Sequence, residues 1–254
     1  MSKKTYVILI SVFIILIALS AAFIIHTFFG QSPSVPPRDI LNVAEDDSSE
    51  DAEGSSSESL LEIPIDFQKL WETNTDVYAW ITVPGTNIDY PILQNEDNTY
   101  YLNHTWDHKE YKAGSIFTET YNSKDFGDPN TLIYGHRMYA GDMFAQLQYF
   151  EDADFFDKNR IIYIYTPSKI LTYEIIAAYP YTDEHLLFKY NFNHPDEFAR
   201  FCDETFSIVD FRACFLDGVE LDWSKDKLIT LSTCLKGNSN GRFLLTARLV
   251  NVEE

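Results

Sequence analysis

Basic residues are scarce in this chain. Lys and Arg number 19 against 39 Asp and Glu, a formal net charge of -20 over 254 residues. Phosphate backbones are held by Lys/Arg surfaces, so nucleic acid is excluded as a partner. A folded body lying flat on an anionic leaflet is excluded for the same reason. Cysteine is scarcer still: only Cys202, Cys214 and Cys234. That is too few for a disulfide-built scaffold, and an odd number leaves at least one thiol unpaired. No group of His, Cys or carboxylates has zinc or calcium-loop spacing, so neither metal nor cofactor is expected. Internal repeats are missing as well. Apolar residues are not lacking. They make up 45% of the chain, with 15% aromatics, enough to build a core and to exclude a mostly disordered polypeptide.

The apolar content is unevenly placed. Tyr6 to Phe29 carries no charge. As a helix it would be about 36 Å long, enough to cross a ~30 Å hydrocarbon layer. Lys3 and Lys4 precede it and no basic cluster follows, which predicts a cytoplasmic Met1 and an extracellular remainder. A cleaved signal peptide, with its small residues at Ala18–Ala22, is the rival reading. The run continues through Phe23, Ile24, Ile25, Phe28 and Phe29, longer than an ordinary signal core, which favours an uncleaved anchor. Residues 1–29 are thus read as cytoplasmic N-terminus and membrane anchor. Residues 30–60, rich in Ser, Pro and acid, read as a disordered linker. Residues 61–254 form one extracellular domain by size.

Within that domain the pattern predicts many short strands with a few helices in the connections. Asp66 can cap a short helix whose Phe67, Leu70 and Trp71 share a face. Strands are expected at 80–83, 88–93, 114–117, 131–134, 160–166, 171–179, 228–232 and 242–250. Turns are expected at Pro84-Gly85 and Gly127-Asp128-Pro129. Asp142 is read as the cap of a helix burying Met143, Phe144, Leu147 and Phe150. Pro195 opens another, with Phe198, Phe201, Cys202 and Phe206 at helical spacing. The class implied is mainly β, a closed β-barrel with helical insertions.

Cys234 ends the run TLSTC and is followed by an open Gly/Asn/Ser loop. A thiol held at a strand end yet reachable suits a nucleophile. The same local pattern fits a small buried core residue equally well. Cys202 and Cys214 sit among apolar neighbours and read as core; spacing alone leaves open whether they pair. His136 follows TLIYG and should also project from a strand end. His26 falls in the anchor, while His104, His108, His185 and His194 lie in polar stretches and read as solvated. Arg242 begins the last strand, eight residues after Cys234, where a returning strand would bring its guanidinium alongside.

Taken together, TLIYGH ending in His136, TLSTC ending in Cys234 and GRFLLTARL beginning at Gly241 resemble the three signature segments of sortases, the membrane-anchored cysteine transpeptidases of Gram-positive bacteria. DVYAWITVPGTNIDYPILQNEDNTYYLNH (Asp76–His104), GSIFTE (Gly114–Glu119) and HRMYAGDMFAQLQYF (His136–Phe150) extend the resemblance to class B, across about Leu70 to Val250. The resemblance implies an eight-stranded barrel with N-terminal helices and a long helix before the last strands, which Pro195–Phe206 would supply. It implies Cys234 as nucleophile, His136 as general acid/base and Arg242 as the group steadying the tetrahedral intermediate. It implies cleavage of a C-terminal sorting signal on surface proteins after its Thr, a thioester intermediate, and transfer to an amine of the peptidoglycan precursor. Asn98, Leu102, Tyr134, Thr182, Leu187 and Ser232 match positions lining the class B peptide groove. One departure stands out: Leu235 and Lys236 follow the cysteine where this class often has acids. Rival readings are a pilin-polymerising sortase with a pilin Lys as acceptor, a secreted thiol protease or amidase using water, and a non-catalytic surface receptor.

Overall fold

The computed structural model describes residues 13–20, 36, 61–238 and 240–254. The chain divides into two compact units, Met1–Pro33 and Ser34–Glu254. In the first, residues 13–20 are helical, with Phe13, Ile14, Leu16 and Leu19 exposed. No helix of the described residues is long and apolar enough to cross a membrane. The rest of the expected anchor and, apart from Pro36, the expected linker lie outside the described residues.

The second unit is built on strands β1 (Val77–Val83), β2 (Ile88–Leu93), β3 (Ile116–Thr118), β4 (Asn130–Tyr134), β5 (Ile161–Tyr165), β6 (Ile170–Tyr181), β7 (Cys214–Phe215), β8 (Leu228–Cys234) and β9 (Arg242–Glu253). They follow the order β5-β1-β2-β3-β4-β8-β9-β6, and β5 pairs β6 to close the ring. The result is the expected closed eight-stranded barrel. β7, absent from the expectation, is two residues long and attaches to β6 through Ala177 and Ala178. So short a strand has no period to read.

Alternation along the strands separates two faces. Ile81, Val83, Ile133, Ile229, Leu231, Phe243 and Leu245 fill the barrel interior. Their neighbours Leu132, Leu228 and Leu244 face outward and are covered by Phe198 and Phe201 of the helix Pro195–Phe206. Pro195 sits in its first turn, where no intrahelical N–H is needed. A third cluster joins Phe67 and Leu70 of the helix Phe67–Trp71 to Tyr101, Trp106 and Phe117. The expected cap is present: Asp66 accepts from Lys69 N at 3.0 Å.

One expected helix takes a different form. Met143, Phe144, Leu147 and Phe150 are buried as read, but through a 3-10 segment, Ala145–Glu151. Asp142 does not cap it by its side chain. Met143 occupies a left-handed backbone position at φ 57° and pairs with Arg137, so the chain is still turning where the periodicity suggested a helix start. The helices Ala153–Lys158 and Leu186–Lys189 went unread, being too short to show a helical repeat.

Candidate active site

Three segments end at one rim of the barrel. β4 and β8 run parallel, with Tyr134 opposite Ser232. His136 and Cys234 lie two residues beyond those partners, so parallel register carries both past the same edge. β9 returns antiparallel and begins with Arg242 directly opposite Cys234. Period-2 alternation gives Cys234 the outward parity of Leu228, and Arg242 that of Leu244. The fold thus places a sulfur, an imidazole and a guanidinium on the outer wall of a groove of ≈ 360 Å³.

The backbone around these groups is firmly held. Gly135 N donates to Ser232 O at 3.1 Å, and Phe144 N to His136 O at 2.9 Å. Gly135 does not serve as a left-handed turn. A Cβ there would lie 2.5 Å from Ile116 and 2.6 Å from the Phe144 ring, so glycine is needed for close packing. The His136 ring donates Nε2–H to the Leu102 carbonyl at 2.8 Å, which leaves Nδ1 as the basic nitrogen of the neutral ring. The Cys234 carbonyl accepts from Gln148 Nε2 at 2.9 Å. Leu235 N donates to Gly241 O at 3.0 Å and closes the loop between β8 and β9.

The other two thiols differ in kind. All three cysteines are free, so Cys202 and Cys214 do not pair. Burial in the outer core pushes the Cys202 thiol up to about 12, and burial raises Cys214 as well. Neither lines the groove.

Of the residues read as groove positions, Asn98, Leu102, Tyr134 and Ser232 line the cavity that holds Cys234. Thr182 and Leu187 do not. Thr182 lies in a separate depression with Tyr181 and Leu235, its hydroxyl tied to Glu184 at 3.3 Å. Leu187 lines a third hollow with Tyr121 and Asn122. The one-turn helix Leu186–Lys189 explains the difference: it buries Leu186 in the outer core and leaves His185 to face the groove.

His185 is therefore not a solvated loop residue. Its Nε2 lies 2.8 Å from Glu119 Oε2 and its ring stacks on Phe188 at 4.1 Å. Glu119, at the end of β3, is 1% exposed and also lines the groove. Tyr134 donates to it at 2.9 Å, and Asn98 donates to its other oxygen. Burial pushes the Glu119 carboxyl up, but the hydrogen bonds from Asn98, His185 and Tyr134 outweigh this and hold it below the usual carboxylate range. Burial and the Glu119 charge together raise the Tyr134 phenol, which stays neutral. Leu235, which follows Cys234 where class B sortases often have an acid, is buried in the barrel core. The acid that shares the cavity comes from far earlier in the chain, just after β3. Its available signal was position: Glu119 follows a short strand directly, as His136 nearly does.

Comparison with known proteins agrees with this architecture. The Sortase domain family matches residues 81–250. Sortase B of Listeria monocytogenes is 36% identical over 187 residues, 73% of this chain and 73% of that protein. The crystal structure of Clostridium perfringens sortase B superposes with a TM-score of 0.63 at 29% identity, covering 73% of this chain and all of that one. A Staphylococcus aureus sortase B–substrate complex gives 0.64 at 27% identity, covering 73% of this chain and 85% of that one. With the family model spanning most of the barrel and its closing strands, the chain belongs to the sortase family, as a class B cysteine transpeptidase.

Proposed function

We propose that this enzyme cleaves a C-terminal sorting signal after Thr, holds the upstream protein as a thioester on Cys234, and transfers it to an amine of the peptidoglycan precursor. The observation that carries the reading is the cross-strand pairing of Cys234 with Arg242, in the groove that also contains His136. The Cys234 thiolate attacks the Thr carbonyl carbon, and the carbonyl electrons move onto oxygen. Arg242 steadies that oxyanion with its planar fork. The His136 imidazolium gives its proton to the departing amine as the C–N bond breaks, leaving the thioester. The neutral ring then takes a proton from the incoming amine as it displaces sulfur. Asn98, Leu102, Tyr134 and Ser232 contact the extended peptide in this reading, and residues 1–29 anchor the enzyme with the barrel outside the cell.

The test is a library of Thr-containing peptides incubated with the full chain in detergent, with a Gly-type or diaminopimelate-type amine, read by mass spectrometry. Cleavage after Thr with an amine adduct is expected. Cleavage without adduct would make the enzyme a hydrolase, and, in a parallel arm offering a pilin-type Lys peptide, exclusive transfer to that Lys would reassign the acceptor. Alkali extraction of membranes tests the anchor, since a spanning chain stays with the pellet.

A further inference from the structure

We propose that Glu119 is a positioning residue that sets the shape of the groove, with His185 as the latch seating the loop after β6 against it. The proposal deepens the transpeptidase reading and rests on it where peptide binding is concerned. The Glu119 carboxylate gathers groups from three parts of the chain. Asn98 comes from the segment after β2, Tyr134 from the end of β4, and His185 from the turn after β6. All three line the groove together with Glu119. Asn98 is fixed a second time, its Oδ1 accepting from Thr120 N at 2.9 Å. Tyr134 ends β4 two residues before His136, so the carboxylate ties one wall of the groove to the strand end that presents the imidazole.

His185 links this cluster to the loop after β6. It belongs to a short connection between β6 and the helix Pro195–Phe206, and its main-chain carbonyl accepts from both Phe188 N and Lys189 N at 3.0 Å. The first turn of Leu186–Lys189 is thus built on the residue whose ring is held by Glu119. The Nδ1 of that ring is buried with no hydrogen-bond partner among the described residues. The neutral ring must then carry its proton on Nε2, the tautomer that donates to Glu119. A buried carboxylate that satisfies several donors is also costly to leave half-paired, which keeps the wall closed.

The experiment compares His185→Phe, which can keep the stack on Phe188 but loses the donor, with His185→Gln, which retains an N–H donor. Two readouts are taken on the full chain in detergent. The first is hydrogen exchange of the Phe188 and Lys189 amides without any peptide. His185→Phe should speed it about tenfold or more, the effect of a lost charge-assisted hydrogen bond, while His185→Gln should stay near the natural rate. The second is steady-state cleavage of the library peptide that the natural enzyme cuts fastest. His185→Phe should raise KM about tenfold with kcat within about twofold, rescued in large part by His185→Gln. Unchanged exchange in His185→Phe overturns the latch. So does a Gln variant as impaired as Phe, which would make the ring's shape the cause. A loss confined to kcat would overturn the positioning role. If the natural enzyme cuts no peptide, the transpeptidase reading fails, and the exchange measurement still decides the latch by itself.

Discussion

Cys234, His136 and Arg242 line one groove because Cys234 ends β8, Arg242 begins β9 and His136 closely follows β4, all at the same rim. Cys234→Ala should abolish turnover. The residue is only half-buried at the last position of β8, so the thermal unfolding midpoint should stay close to that of the natural chain. A variant that still cleaves would remove the thiol from the chemistry. If Arg242 steadies the oxyanion as proposed, Arg242→Lys should lower kcat/KM by about 100-fold or more, because an ammonium cannot reproduce the planar fork; a progress-curve assay checks it. Glu119 adds a dependence on pH. Its folded-state carboxyl lies below the usual range, so the stabilisation it supplies is full above the unfolded value of about 4.3 and is lost as pH falls through the folded value. Between about pH 6 and about pH 3, the unfolding midpoint should therefore drop more in the natural chain than in Glu119→Gln, measured by scanning calorimetry. At this scale the sequence was legible for residues whose strand ends could be seen. It was not legible for His185, which looks solvated until a carboxylate far away in the chain is folded against it.

Elements translate these residues into geometry. Gly135 is the hinge between β4 and His136, packed so closely on Ile116 and Phe144 that an added methyl has no room. Gly135→Ala should cost about 1–3 kcal/mol of stability, read by urea unfolding, and should cut turnover as well, since the strand end that carries His136 must shift. The long helix Pro195–Phe206 was readable from its proline start and its aromatic spacing, and it covers the outer face as its pattern implies. The stretch after His136 was readable only in what it buries. A left-handed residue at Met143 and a 3-10 path bury the same four side chains that a helix would, so apolar spacing could not tell the two apart. Thr182 and Leu187 show the same limit from another direction. Being in the right loop does not decide which of its side chains faces the groove: His185 does, while Thr182 and Leu187 line other hollows.

At the scale of the molecule, the chain divides into Met1–Pro33 and Ser34–Glu254. A chain beginning at Ser34 should unfold in one cooperative transition by circular dichroism and retain peptide cleavage, since the strands that close the ring all lie beyond it. Multiple transitions, or loss of cleavage, would show that the first unit contributes to the barrel. The sequence by itself determined the apolar run, the acidic Ser/Pro-rich stretch and the β-rich pattern that follows, the number of long strands, and the residue types available for thiol chemistry, because charge, composition and period-2 alternation are local properties. Tertiary structure alone decided the parallel alignment of β4 with β8 that brings His136 beside the Cys234–Arg242 pair, and the placing of Glu119 and His185 at the groove. Those depend on which strands become neighbours when the sheet closes, and closure is a property of the whole set of strands that no short stretch of residues encodes.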